Sequence, residues 1–356
     1  EQTLDPDLLK LLQTLADWHF SGNEKNFPPV RELTRLFIAR HAHDLDRDNA
    51  RDLVERLRGP KQADVPAEAI APPDWDAVLS RELELASLPT VFNEIVEAVK
   101  SPKSSATHVA EVIGKDPSLA SRLLRLVNSA FFGFPGRVDT LPRAVAIVGT
   151  IQITNLAMGI AVTTVFRDIP SECLDMHSFW QHSISVGVLS RLIASHARSQ
   201  AEERLFVSGL LHDIGRLMVF RNFPELAGRT CALALQGEES FDRLERRDWG
   251  ISHAELGGRL MGAWQLPDVL QKTVRYHHTP FKAEAPPEAA VVHVADVVAH
   301  ALALGHSGAR RVPPLDRAAW NSLGLPASVL PTLVAQAESQ MRDLMRIFLE
   351  EHARAA

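Results

Sequence analysis

Apolar residues recur at three- and four-residue spacing along most of the chain, and no run alternates apolar with polar residues over a strand's length. That period predicts an all-α fold. DLLKLLQTLADW at 7–18, PPVRELTRLFIARHA at 28–42 and RDNARDLVERLR at 47–58 predict a small helical domain over 1–62, with Pro28 and Pro29 suited to a first helical turn. The Pro- and Ala-rich stretch that follows has no period, and a linker is expected over 63–75.

From Leu88 the pattern is denser. LPTVFNEIVEAVKS predicts one helix, and ATHVAEVIGKDPSLASRLLRLVNSAFFG predicts two more, with Asp116 as N-cap and Pro117 at the first helical position. Further helices are expected at about 143–148, 150–166, 176–197, 201–212, 240–245, 251–263, 267–278 and 288–303. In the last amphipathic segment Leu330, Leu333, Ala337, Met341, Leu344 and Phe348 share a face, which is expected to pack back on the core rather than on a second copy.

Composition narrows the class. With 46% hydrophobic and 23% charged residues the 356-residue chain reads as a soluble globular protein, and a formal charge of -6 gives no basic field for nucleic acid or anionic lipid. Direct nucleic-acid binding is not expected. Two cysteines, Cys173 and Cys231, make no disulfide framework, and the acidic start EQTLDPDLLK holds no apolar signal core, so a cytoplasmic location is expected. Residues 144–166 run without a charge for the length a bilayer needs. Gln152 and Asn155 in that run, and Gly149-Thr150 read as a helix stop followed by an N-cap, predict two buried helices instead of a membrane span.

The second half of the chain collects His182, His212, Asp213, His253, His277, His278, His293, Asp296 and His300. Imidazole and carboxylate are the ligand set of zinc, iron and manganese, which helical bundles hold with side chains from several helices. The intervals are long, so no local motif forces these residues together. A lone His on an apolar helix is more often a hydrogen-bonded core residue than a ligand, and His293 and His300 are assigned to the core. Asp213, within LLHDIGRLMVF, needs a partner if buried, and either a metal or an ion pair with Arg216 would serve. His277 and His278 are adjacent, so both can face one pocket only at a helix end.

The stretches LPTVFNEIV, VIGKDPSLASRLLRLVNSAFFG, RAVAIVGTIQITNLAMG, FWQHSISVGVLSRLIA, GLLHDIGRLMV and SHAELGGRLMGAWQLPDVLQKTVRYHHTP, in that order, resemble the HDOD domain family, relatives of the HD phosphohydrolases. The resemblance covers about residues 76–303 and implies a helical lobe at 76–170 and an HD-like lobe at 171–303, leaving 304–356 as a C-terminal helical extension. It implies a regulatory output module of bacterial signalling, acting through signalling proteins or a nucleotide-type ligand, with homo-oligomers as a further option. Two alternatives stay open: a metal-dependent phosphohydrolase or phosphodiesterase, and a nucleotide-binding sensor without turnover.

Carried over from the HD superfamily, the resemblance implies a divalent transition metal (Fe, Mn or Zn) on His182, His212, Asp213 and Asp296. It implies His253, His277 and His278 as ligands of a second ion, and Arg216 as a catalytic group if the chain is an enzyme. The sequence departs from the cyclic-dinucleotide phosphodiesterases at three places: Arg216 stands for a Lys, Ser178 for a Glu, and TPFKAEAPPEA for the Gly-Tyr-Pro loop. Hydrolysis of cyclic dinucleotides by that route is therefore not expected.

Overall fold

The computed structural model describes residues 6–43, 50–58, 70–85, 90–100, 105–166, 169, 174–199, 201–236 and 239–349. Among them every regular element is helical. The N-terminal segment forms α1 (Pro6–His19), α2 (Pro28–His43) and α3 (Ala50–Arg58). A first lobe follows as α4 (Trp75–Leu85), α5 (Thr90–Lys100), α6 (Ala106–Gly114), α7 (Pro117–Val127), α8 (Leu141–Val148) and α9 (Thr150–Val165). The second lobe comprises α10 (Met176–His196), α11 (Glu202–Leu211), α12 (Ile214–Asn222), α13 (Pro224–Gln236), α14 (Phe241–Asp248), α15 (His253–Ala263), α16 (Asp268–Tyr276) and α17 (Glu288–Ala301). The chain then forms α18 (Arg317–Ser322), a 3-10 turn at Ala327–Val329, and α19 (Leu330–Leu349).

Local chemistry explains several boundaries. Asp116 caps α7 by accepting from the backbone N–H groups of Ser118 and Leu119 at 2.9 and 3.0 Å, a contribution of about 1 kcal/mol. The charge-free run breaks at Gly149, whose φ of 100° suits glycine, and α8 and α9 meet at 117°. Gly149 rather than Thr150 holds the N-cap position; Thr150 already lies inside α9, where its carbonyl accepts the Thr154 hydroxyl at 2.8 Å. Among the described residues no single helix is long and apolar enough to cross a membrane.

The sequence period missed α4, α12, α13 and α18. Most of the expected linker lies outside the described residues, but Trp75 opens α4 and its indole N–H donates to the Trp249 carbonyl at 2.8 Å, joining α4 to the second lobe. Cys173 also lies outside the described residues, whereas Cys231 is a buried free thiol.

α10 is the hub of the second lobe. It is buried around most of its circumference and packs on α11, α17 and α19. α19 packs back on α10 and α7, burying the six residues of its expected face together with Ile347. Each of the larger apolar side chains on that face contributes roughly 1.5–3 kcal/mol. The N-terminal helices pack on the same lobe. His19, at the end of α1, sets Nε2 at 2.8 Å from the His300 carbonyl and Nδ1 at 3.1 Å from that of Arg310.

Candidate metal centre

His182 projects from the middle of α10, and Asp296 and His300 lie one turn apart on α17. α11 stops at Leu211, so His212 and Asp213 occupy the break before α12 and are not part of one continuous helix with Arg216. Gly215 makes this corner possible. A Cβ there would lie 2.1 Å from the His253 carbonyl oxygen and 2.7 Å from the Gly257 nitrogen, so only glycine lets α12 meet the start of α15 at this distance. α16 ends at Tyr276, which frees His277 and His278 from helical spacing; their rings lie 4.0 Å apart and both face His253.

These residues form one buried polar cluster. His182 donates from Nε2 to Asp296 Oδ1 at 3.1 Å, and His212 Nε2 lies 3.2 Å from Asp213 Oδ2 and 3.6 Å from Asp296 Oδ1. Asp213 Oδ1 faces His253 Nε2 at 2.9 Å, while the Nε2 atoms of His277 and His278 lie 3.4 and 3.1 Å from that same nitrogen. One ligand atom each from His182, His212 and Asp213 falls within 4.8 Å of the others, and the same holds for His212, His277 and Asp296 and for His253, His277 and His278.

The hydrogen bonds behind the cluster fix which nitrogens face inward. Nδ1 donates to the Gly209 carbonyl from His212 at 2.8 Å, to the Val274 carbonyl from His277 at 2.7 Å, and to Glu245 Oε2 from His253 at 2.5 Å. With Nδ1 turned outward in each, the Nε2 atoms converge, the orientation that imidazoles take on a metal once Nε2 has given up its proton. His212 Nε2 and Asp213 Oδ1 make no well-formed hydrogen bond, although Asp213 Oδ2 lies 3.2 Å from the first and His253 Nε2 2.9 Å from the second. A buried polar atom without a partner costs roughly 1–3 kcal/mol. His182 is the exception among the rings, since its rear Nδ1 has no partner. The donor set fits zinc, iron or manganese.

Arg216 closes the rear. Its Nη1 donates to Asp213 Oδ2 at 2.8 Å and to the Ser307 hydroxyl, and its Nε donates to Glu245 Oε1 at 3.0 Å. The ion pair expected as an alternative to a metal is thus present, yet it occupies one carboxylate oxygen and leaves the other turned to the histidines.

Charge dominates one side of the cluster. Burial pulls the His212 imidazolium down, but Asp213 and Asp296 outweigh it and raise the ring to about 10. Burial likewise opposes the ionised forms of Asp213 and Asp296; Arg216, His212 and His253 hold the first well below the usual carboxylate range, and His300, His182 and His212 the second. On the other side burial prevails, and His277 and His278 are pushed well below the ordinary histidine value, with the neighbouring imidazoles adding to the effect.

All seven expected ligand positions, together with Arg216, therefore lie in one cluster. His293 does not contribute: its Nδ1 donates to the His277 carbonyl at 2.9 Å and its Nε2 accepts from the Asp316 N–H at 2.9 Å. His300, assigned to the core, lies with Nε2 3.4 Å from Asp296 Oδ1 and its ring 4.5 Å from that of His182. Glu245 was missed altogether. Its signal was a carboxylate on the apolar face that Phe241 and Leu244 define.

Residues 85–280 match the HDOD domain, more than half of the chain. An uncharacterized protein of Treponema pallidum (strain Nichols) is 26% identical over 203 residues, which is 57% of this chain but 39% of that one, so the match spans well under half of the relative's length. A candidate phosphohydrolase from Shewanella amazonensis SB2B superposes with a TM-score of 0.60 at 24% identity, covering 76% of this chain and 98% of the other. A candidate signal transduction protein from Marinobacter aquaeolei VT8 gives 0.59 at 23% identity, covering 86% and 66%. At these identities the two structures speak for the fold. Fold and family match agree, and the chain belongs to the HDOD domain family.

Proposed function

We propose that the chain is a signal-transduction regulatory module of the output type whose HD-like lobe holds a divalent transition metal, and that it acts on signalling proteins or a nucleotide-type ligand. The observation that carries this reading is the pair of buried unpartnered atoms, His212 Nε2 and Asp213 Oδ1, set among inward-facing imidazoles. His182, His212, Asp213 and Asp296 would hold one ion, and His253, His277 and His278 a second. The division into 1–62, 76–303 and 304–356, joined at 63–75, belongs to the same proposal.

A second reading, metal-dependent phosphoester hydrolysis, is favoured by a cavity that reaches His278 and His300. A bound metal supplies Lewis acidity and lowers the pKa of its water. The protein's own part is to orient: Glu245 fixes the His253 tautomer, and Arg216, which lines the same cavity, positions the Asp213 carboxylate.

The test is elemental analysis of chelator-free protein beside Asp213→Ala. About one or two transition-metal ions per chain, lost in the variant, are expected for ligands of this type. Metal-free wild-type protein that takes up none of the three metals on dialysis would overturn the reading.

A further inference from the structure

We propose that the strap 305–316 is a movable gate beside the polar cluster, and that the turn between α1 and α2 is the latch that holds it shut, so that displacing the N-terminal helices opens the His300 side of the cluster. The inference rests on the proposed function only for what opening exposes; the latch itself is a matter of backbone bonds. Residues 6–43 and 305–316 fall outside the 85–280 family match, so the device belongs to this chain's own flanks.

The strap takes its backbone partners from the N-terminal segment. Pro313 and Pro314 have no N–H to give and keep this stretch out of a helix, so His19 and Asn23 supply the bonds that regular structure would have made. Val312 N–H donates to the His19 carbonyl at 2.9 Å, and His19 Nδ1 lies 3.1 Å from the Arg310 carbonyl. The Asn23 amide donates to the Val312 and Pro313 carbonyls at 3.1 and 3.3 Å, while its Oδ1 accepts from Leu315 N–H at 2.9 Å. The strap also has room to move, because cavities of ≈ 520 and ≈ 430 Å³ flank it and Ala309, Arg310 and His300 line both.

Both ends of the strap reach the cluster. At one end Gly305, with a φ of 69°, presses on α10: a Cβ there would lie 2.3 Å from the Ser178 carbonyl oxygen, to which His306 N–H donates at 3.2 Å. The Ser307 hydroxyl then accepts from Arg216, which in turn holds Asp213. At the other end Asp316 N–H donates to His293 Nε2, whose Nδ1 donates to the His277 carbonyl. Opening the strap therefore loosens the support behind Asp213 and His277 and joins the two cavities at His300. The buried Cys231 thiol reports the movement, since its Sγ lies 3.6 Å from the place a Cβ on Gly308 would take.

Maleimide labelling of Cys231 in the folded full chain, in a Cys173→Ser background, tests the latch together with hydrogen exchange at the His306 amide, which bonds to α10 and not to the N-terminal segment. Asn23→Ala is expected to raise both rates at least about tenfold, the effect of losing about one or two net hydrogen bonds, while amides in the middle of α10 keep their wild-type rates. Lys25→Ala, which removes an exposed pair between the same turn and Asp17 of α1, should change neither rate. Rates within about twofold of wild type in Asn23→Ala, acceleration confined to the Leu315 amide, or equal acceleration along α10 would overturn the proposal. Neither readout needs a metal, so the two readings fail separately: a latch that works in a chain that takes up no metal refutes the metal centre alone, and a metal-loaded chain whose strap ignores Asn23→Ala refutes the latch alone.

Discussion

At His212, between Asp213 and Asp296, charge overcomes burial and the ring rises to about 10, whereas at His277 and His278 burial prevails and both rings are held well below the ordinary value, as it does at His300, which lies 3.4 Å from Asp296 and is lowered to about 3. These regions touch, since the His212 and His277 rings are 5.2 Å apart. The difference lies in where negative charge was placed. The carboxylate side holds Asp213 and Asp296, while the imidazole side sets His277 and His278 beside His253, whose pKa burial and Arg216 lower but Glu245 and Asp213 raise on balance. Asp213 is therefore shared by both sides, and the imidazole side is expected to release its metal first.

Removing the shared residue should have the largest effect. Asp213→Ala breaks a buried ion pair with Arg216, and urea denaturation should show a loss of about 3–5 kcal/mol, reduced to the extent that Glu245 still pairs the guanidinium. A loss confined to a few tenths would mean that the carboxylate is not the common support of the two sides.

His19 gives the same contrast without any carboxylate nearby to oppose burial, which lowers its pKa from 6.5 to about 4. Above pH 6.5 the ring is neutral folded or unfolded and contributes no pH dependence. As the pH falls from 6.5 towards 4 the unfolded chain gains a proton that the folded chain lacks, so stability should drop by at most about 3 kcal/mol and level off below about 4. In His19→Gln this component of the slope should vanish, which denaturation midpoints across that window would read.

Gly215→Ala tests the corner that joins the sides. The added methyl meets backbone at 2.1 Å, so α12 and α15 must separate, at a cost of about 1–3 kcal/mol and with reduced metal uptake. Glu245→Gln should act mainly on the imidazole side, since Arg216 keeps its bonds to Asp213 and Ser307 when it loses Glu245. Loss of the charge behind His253 is expected to weaken the second ion by roughly 10–100-fold in a chelator titration while leaving the first in place.

Much of the fold was legible because helical packing is periodic. The face of α19 and the break at Gly149 follow from local rules, whereas the period carried α16 to 278, past the end at Tyr276 that lets His277 and His278 turn inward together. α12 was not legible, since Ile214 to Phe220 are buried on every side and leave no amphipathic period. The ligand set was read through family resemblance, because gathering residues from 182 to 296 is a property of the tertiary fold. His300 sits one turn from Asp296 and could have been recovered from that spacing. Ser307, which bonds Arg216 from a loop, has no local signal.

The most direct measurement is anomalous diffraction across the iron, manganese and zinc edges on crystals of the full chain grown without chelator. The account predicts a peak at about 2.0–2.2 Å from both His212 Nε2 and a carboxylate oxygen of Asp213 or Asp296. An ordered water bridging those atoms, with no anomalous signal after soaking in each metal, would contradict it and leave the cluster as a buried hydrogen-bonded network.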